Sequence, residues 1–150
     1  MRRFIVLFAL FAVASLPLQA NDGMVTVQSK HTVAETMDRF EKAVRAAGMG
    51  VFARIDHAGG AAKVGMQLTP TELIIFGNPK LGTQLMQSNP RIGLDLPLKA
   101  LVWQDEKGMV WLGYTSPDYL LSRFGITDRA KAQQMMTGAL GKFAAAATAP

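Results

Sequence analysis

Five consecutive residues, Glu72-Leu73-Ile74-Ile75-Phe76, constrain this chain more than any other stretch. Side chains alternate across a strand, so Leu73 and Ile75 face one way, Ile74 and Phe76 the other, and both sets are apolar. Such a strand needs cover on both faces of its sheet. Gly77-Asn78-Pro79 follows at once. Asn78 is a good helix N-cap and Pro79 suits the first helical position, so the strand leads directly into a helix. Leu81, Leu85 and Met86 form that helix's inner side, and it must end near Asn89 because Pro90 follows.

Four more strands are expected, over residues 24–29, 49–57, 98–104 and 109–115. The last two are joined by the hairpin loop Asp105-Glu106-Lys107-Gly108. In 49–57, alternation puts Val51, Ala53, Ile55 and His57 on one face and Phe52, Arg54 and Asp56 on the other. Thr32-x-x-Glu35 is a capping box that opens a helix. Val33, Met37, Phe40 and Val44 form its apolar stripe, and Gly48 closes it. Glu35/Arg39, Asp38/Lys42 and Glu41/Arg45 make a solvated face of i,i+4 pairs. Residues 58–65 read as a small-residue loop and 92–97 as an extended linker. Ser116-Pro117-Asp118 opens a short helix that Gly125 closes. Thr127 caps a final helix with Ala132, Met136, Leu140 and Phe143 inward. Residues 144–150 form a flexible Ala-rich tail.

The resulting order is β-α-β-β-α-β-β-α. It describes a single α+β domain over residues 21–143: two layers, a mainly antiparallel five-stranded sheet, and helices on one side. Such a sheet needs only one apolar face, yet Trp103 opposes Val102 and Trp111 opposes Tyr114, as Leu73 opposes Ile74. A second face this apolar needs cover by a twin subunit, an apolar ligand or another partner.

The N-terminus carries an address. Met1-Arg2-Arg3 precedes an unbroken run of 13 apolar and small residues, Phe4 to Leu16, and Pro17-Leu18-Gln19-Ala20 leads into polar sequence. This is the layout of a signal peptide over residues 1–20, cut after Ala20. The run is shorter than the roughly 20 residues a spanning helix needs, so no stable membrane span is expected after cleavage. The expected location is periplasmic or secreted. Removing Arg2 and Arg3 leaves 14 basic and 11 acidic side chains, a net charge of +3. The basic residues are scattered, and no cluster exists to follow phosphates, so nucleic acid is not an expected partner. The absence of cysteine excludes disulfides, zinc–thiolate sites, iron–sulfur clusters and thiol catalysis.

At Asp56-His57, Phe76-Gly77-Asn78-Pro79, Asp95-Leu96-Pro97-Leu98 and Val102-Trp103 the chain resembles domain-of-unknown-function family 302, over about residues 32–124. The resemblance implies a TATA-box-binding-protein-like α+β fold and, commonly, a homodimer. It brings no catalytic residues with it.

Among the residues themselves, His57 stands at a strand end beside Asp56, where a histidine can act as base or ligand. Neighbouring strand residues point to opposite faces, so Asp56 does not orient it as in a triad. Asn78 and Lys80 open a helix where a carboxylate or phosphate could sit. The nine methionines are scattered, with only Met135-Met136 adjacent, and read as core filler rather than a copper site. No metal or cofactor motif is present. The leading expectation is a non-enzymatic ligand-binding or interaction module, dimeric, taking a small apolar or anionic ligand, with His57, Asp56, Asn78, Lys80 and Asp95 as candidate ligand-binding residues. The alternative is a small hydrolase or isomerase using His57 with a nearby acid such as Asp95.

Overall fold

The structure is a computed structural model and describes residues 22–150. The expected signal peptide and its cut after Ala20 lie outside the described residues. Strands β1 (Met24–Ser29), β2 (Gly50–Asp56), β3 (Thr71–Gly77), β4 (Leu98–Gln104) and β5 (Val110–Thr115) form one sheet. Its order is β1-β5-β4-β3-β2, with every neighbouring pair antiparallel. The doubly apolar β3 is an interior strand, between β4 and β2. The α+β class and five-stranded antiparallel sheet read from the sequence are those of the molecule.

Helix α1 (Val33–Ala46) and helix α5 (Ala130–Thr148) pack on one face. Thr32 and Glu35 close the capping box in both directions. Val33, Met37, Phe40 and Val44 are all buried. Gly48 has φ +72°, and Met49 N–H reaches back to Val44 O, the left-handed cap expected there. The core forms between this stripe, the inward residues of α5 and alternate residues of the interior strands, including Ile74, Phe76, Leu98, Val102 and Leu112. Phe40 sits at its centre, edge-on to Phe76 at 5.3 Å and to Phe143 at 6.1 Å between ring centroids.

Several local expectations are corrected. Residues expected as a loop form helix α2 (His57–Lys63). Asp56 caps it by accepting from Gly59 N–H at 2.8 Å, and its alanines favour the helix. His57 therefore begins a helix instead of ending a strand. Helix α3 (Pro79–Ser88) follows Asn78 as read, but the expected linker after it is a 3-10 turn (Pro90–Leu94) that buries Ile92, ahead of a cis Leu96–Pro97 bond. Helix α4 (Pro117–Arg123) is the short helix read at Ser116.

Helix α5 starts at Ala130, after Arg129 and not after Thr127. The expected flexible tail is its last turns: Ala144, Ala147 and Thr148 are buried. Arg39 fixes that end by donating to Ala146 O at 3.2 Å and Ala149 O at 2.9 Å, and His31 Nε2 lies 2.6 Å from Ala149 O. A cation at a helix C-terminus meets the free carbonyls and the negative end of the dipole.

Strict alternation also fails in β2. A bulge between Val51 and Ala53 shifts the register, so Val51 pairs with buried Phe76 while Ala53 and Ile55 pair with Ile75 and Leu73 on the opposite face. One extra residue reverses every side chain on one side of it. Arg54 consequently faces α1, where it meets Asp38 at 2.6 Å, Glu41 at 3.1 Å and Glu72 of β3 at 2.6 Å. The charged face of α1 is thus partly a tertiary contact. Of its expected pairs, Glu41–Arg45 forms, at 2.7 Å.

Candidate functional site

Two features of the fold could receive a partner, one on each side of the sheet. The first is the face away from α1 and α5. Register alone lays it out: a row Thr26–Gly113–Leu101–Leu73–Ile55 crosses all five strands, flanked by Gln28–Trp111–Trp103–Thr71 on one side and by Lys99–Ile75–Ala53 on the other. Leu73, Ile75, Leu101 and both tryptophans are only half-buried, Ile55 is 39% exposed and Phe52 58%. Trp103 lies against Gly113, where a Cβ would stand 2.9 Å from the indole. Any side chain at 113 would lift the ring from the sheet. Trp111 is held from its edge: Nε1 donates to Asp105 Oδ2 at 2.9 Å. That bond, with backbone donors from Met109 and Lys107, holds the Asp105 carboxyl below the usual range. Lys99 is the one charge in these rows, and its Nζ turns to the carbonyls of Asp95 (3.2 Å) and Pro97 (3.1 Å), away from the apolar row.

The second feature lies on the helix side, a cavity of about 630 Å³ between α3 and α5. Phe76, Leu98, Leu140 and Phe143 form its floor, Leu81 and Met136 its walls, and Lys80, Asp128, Arg129 and Lys131 also line it. A smaller cavity of about 230 Å³ shares Asn78, Leu81, Leu98 and Met136 with it and extends toward Leu85, Leu96 and Pro97.

The sequence-derived site residues separate into three places. Asp56 and His57 stand together at the start of α2, but the Asp56 carboxylate is used on Gly59, and the His57 ring has no hydrogen bond among the described residues. Asn78 and Lys80 line the large cavity; Asn78 Oδ1 caps α3 by accepting from Lys80 N–H at 2.9 Å. Asp95 pairs with Arg123 at 3.0 Å and borders a different depression, beside Lys99 and Tyr119. The geometry therefore does not assemble His57 and Asp95 into one cleft. Sequence reading missed Arg129 and Lys131, because they reach the cavity only once the start of α5 is held beside α3, where Arg129 donates to Gln84 O at 3.1 Å. The available signal was the small Ala132 and Ala139, which leave room opposite Leu81.

The sequence pattern of the domain of unknown function DUF302 matches residues 25–143. That extends the resemblance, read over 32–124, to β1 and most of α5. The fluoride-specific ion channel FluC 1 of Brucella suis biovar 1 (strain 1330) is 49% identical over 120 residues, which cover 79% of this chain and 47% of that protein. FluC 1 of Brucella abortus biovar 1 (strain 9-941) shows the same identity over 44% of its length. The chain thus spans about half the length of these curated relatives. Among the described residues, no helix is long and apolar enough to cross a membrane. A crystal structure of an uncharacterized conserved DUF302 protein from Bacillus stearothermophilus superposes with a TM-score of 0.73 at 22% identity, covering 84% of this chain and 98% of that one. At that identity the likeness speaks for the fold. Taken with the family-wide match over β1 to α5, these similarities show that the chain belongs to the DUF302 family.

Proposed function

We propose that this chain is an exported, non-enzymatic interaction module that works as a homodimer through its open sheet face. The observation that carries the reading is the uncharged apolar row Leu101–Leu73–Ile55, with Trp103 and Ile75 beside it, on the face away from α1 and α5. Strands lie about 4.8 Å apart and residues rise about 3.3 Å along them, so the patch covers roughly 200 Å² over three adjacent strands, a contiguous apolar surface that a partner would cover. A twofold contact needs only one self-complementary patch, and the one charge of these rows, Lys99, is turned to the carbonyls of Asp95 and Pro97 at the rim. The leader over residues 1–20 would place the dimer in the periplasm or outside the cell. A His57-centred hydrolase is disfavoured, because the acids considered for it are engaged by Gly59 and Arg123.

Sedimentation of the chain from Asn21 onward, at micromolar concentrations, tests this. The wild type should sediment as a dimer. Leu101→Lys should give a folded monomer, with Trp103 and Trp111 emission shifted to the red. A wild-type monomer at every concentration would sink the reading.

A second reading rests on the half-length match. An ion channel must span the membrane, and the segment shared with the fluoride-specific channels has no spanning helix among the described residues. We infer that in those relatives the shared part is an extramembrane module, and that this chain could serve such a channel as a separate subunit. Growth of a deletion strain in graded fluoride tests it; unchanged sensitivity counts against it.

A further inference from the structure

We propose that the cavity between α3 and α5 is a binding site for a single-chain carboxylate: an anionic head at the lysines and an apolar tail laid toward Pro97. The charged part of the site is on the helix side of the sheet, across from the proposed dimer face; only the far end of the smaller cavity, at Phe52 and Gly77, reaches the edge of that face.

The lining is divided by chemistry. Its charged residues are Lys80, Arg129 and Lys131 against one acid, Asp128. That acid is already occupied, accepting from Ser88 Oγ at 3.0 Å and pairing with Arg129 at 3.2 Å. Arg129 is also committed to its wall, donating to Gln84 O at 3.1 Å. Lys80 and Lys131 have no carboxylate within ion-pair distance among the described residues. The cavity therefore has a surplus of positive charge, carried by two flexible ammonium groups.

The rest of the lining is apolar. Phe76, Leu98 and Phe143 form the floor, and the smaller cavity beyond Leu81 and Met136 is lined without a single charged residue. At about 630 Å³ the main space is within the usual range for small-molecule sites. Such a lining suits an amphiphile. An inorganic anion would leave the floor unused, and a neutral hydrocarbon would leave the ammonium groups unmatched. A carboxylate head carries one negative charge and can sit between two lysine ammonium groups, which act as point charges.

Calorimetry on the chain from Asn21 onward, with octanoate, decanoate and dodecanoate, tests the proposal. Each added methylene should tighten binding by about fourfold until the smaller cavity is filled. Dodecyltrimethylammonium, with the same tail and opposite charge, should bind at least tenfold more weakly than dodecanoate. The double variant Lys80→Gln/Lys131→Gln alters only exposed side chains, so its fold is retained, and it should lose at least tenfold for dodecanoate. Gly82→Leu fills the smaller cavity, where a Cβ would meet only Leu96 at 3.8 Å. It should move the optimum to a shorter chain. Bromododecanoate should leave Trp103 and Trp111 unquenched, since both lie across the sheet. No binding up to millimolar, equal affinity for the cationic amphiphile, or tryptophan quenching that is indifferent to the lysine variants would each overturn the site. Lysine-dependent binding to phosphatidylglycerol vesicles without dodecanoate binding would overturn it in favour of a membrane headgroup.

Discussion

Phe40 is where the packing argument can be tested most directly. Its side chain is fully buried, and its ring is edge-on to Phe76 of β3 (76° between planes) and Phe143 of α5 (84°). It therefore joins the helix layer to the sheet and the two long helices to each other. Truncating a buried aromatic to alanine costs about 3–5 kcal/mol, through lost transfer energy and the cavity left behind. Alanine's better helix propensity returns only about 0.5 kcal/mol. With total stability of roughly 5–15 kcal/mol, Phe40→Ala should remove a large share of it. Phe40→Leu separates the contributions. It keeps most of the apolar volume and loses both ring contacts, each worth about 0.5–1.5 kcal/mol beyond burial, so a loss of about 1–3 kcal/mol is expected. Combined with Phe143→Leu, it should show a coupling of about 0.5–1.5 kcal/mol. The assay is urea unfolding followed by far-UV circular dichroism at one fixed protein concentration, because dimerisation would add a concentration-dependent increment. Tryptophan emission is the poorer probe, since both indoles are on the other face of the sheet. A Phe40→Ala loss under about 1 kcal/mol, or no coupling to Phe143, would refute the placement of this ring as the centre of the core.

Three further outcomes follow from the structure. Arg54→Met leaves Asp38, Glu41 and Glu72 without their shared cation and should cost about 1–2 kcal/mol in urea melts, with Glu41, held low by Arg45 and then Arg54, titrating closer to its usual range by NMR. Asp105 has its carboxyl depressed chiefly by Trp111, so its stabilising contribution is present above the ordinary aspartate range and is lost as pH falls through the depressed value; Trp111 emission should change over that acid window, and Asp105→Asn should abolish the change. Truncation after Phe143 removes buried Ala144, Ala147 and Thr148 and the carbonyls that Arg39 and His31 engage, and should lower stability by about 2 kcal/mol, read as a drop in melting temperature; an unchanged melt would mean the tail contributes nothing.

The sequence on its own determined the elements whose signals are local. The capping box at Thr32, the stripe through Phe40, the Asn78-Pro79 helix start and the Asp105–Gly108 turn are all settled within a few residues, and each stands where its pattern put it. The two-sided apolarity of β3 was equally legible, but its place between β4 and β2 was not. What depends on distant residues was not legible. The bulge at Val51/Ala53 leaves no mark in an alternating pattern, yet it sends Arg54 to α1 and Ala53 and Ile55 to the open face. An Ala-rich stretch has a weak stripe of its own, and it is packing on α1 and β1, with Lys30, Arg39 and His31 bonding its carbonyls, that makes residues 144–148 part of the core. Local chemistry named Asn78 and Lys80, but the cavity they border exists because α5 brings Lys131 and Phe143 across from the far end of the chain. Charge and volume converge there through tertiary packing, and no window of consecutive residues encodes that convergence.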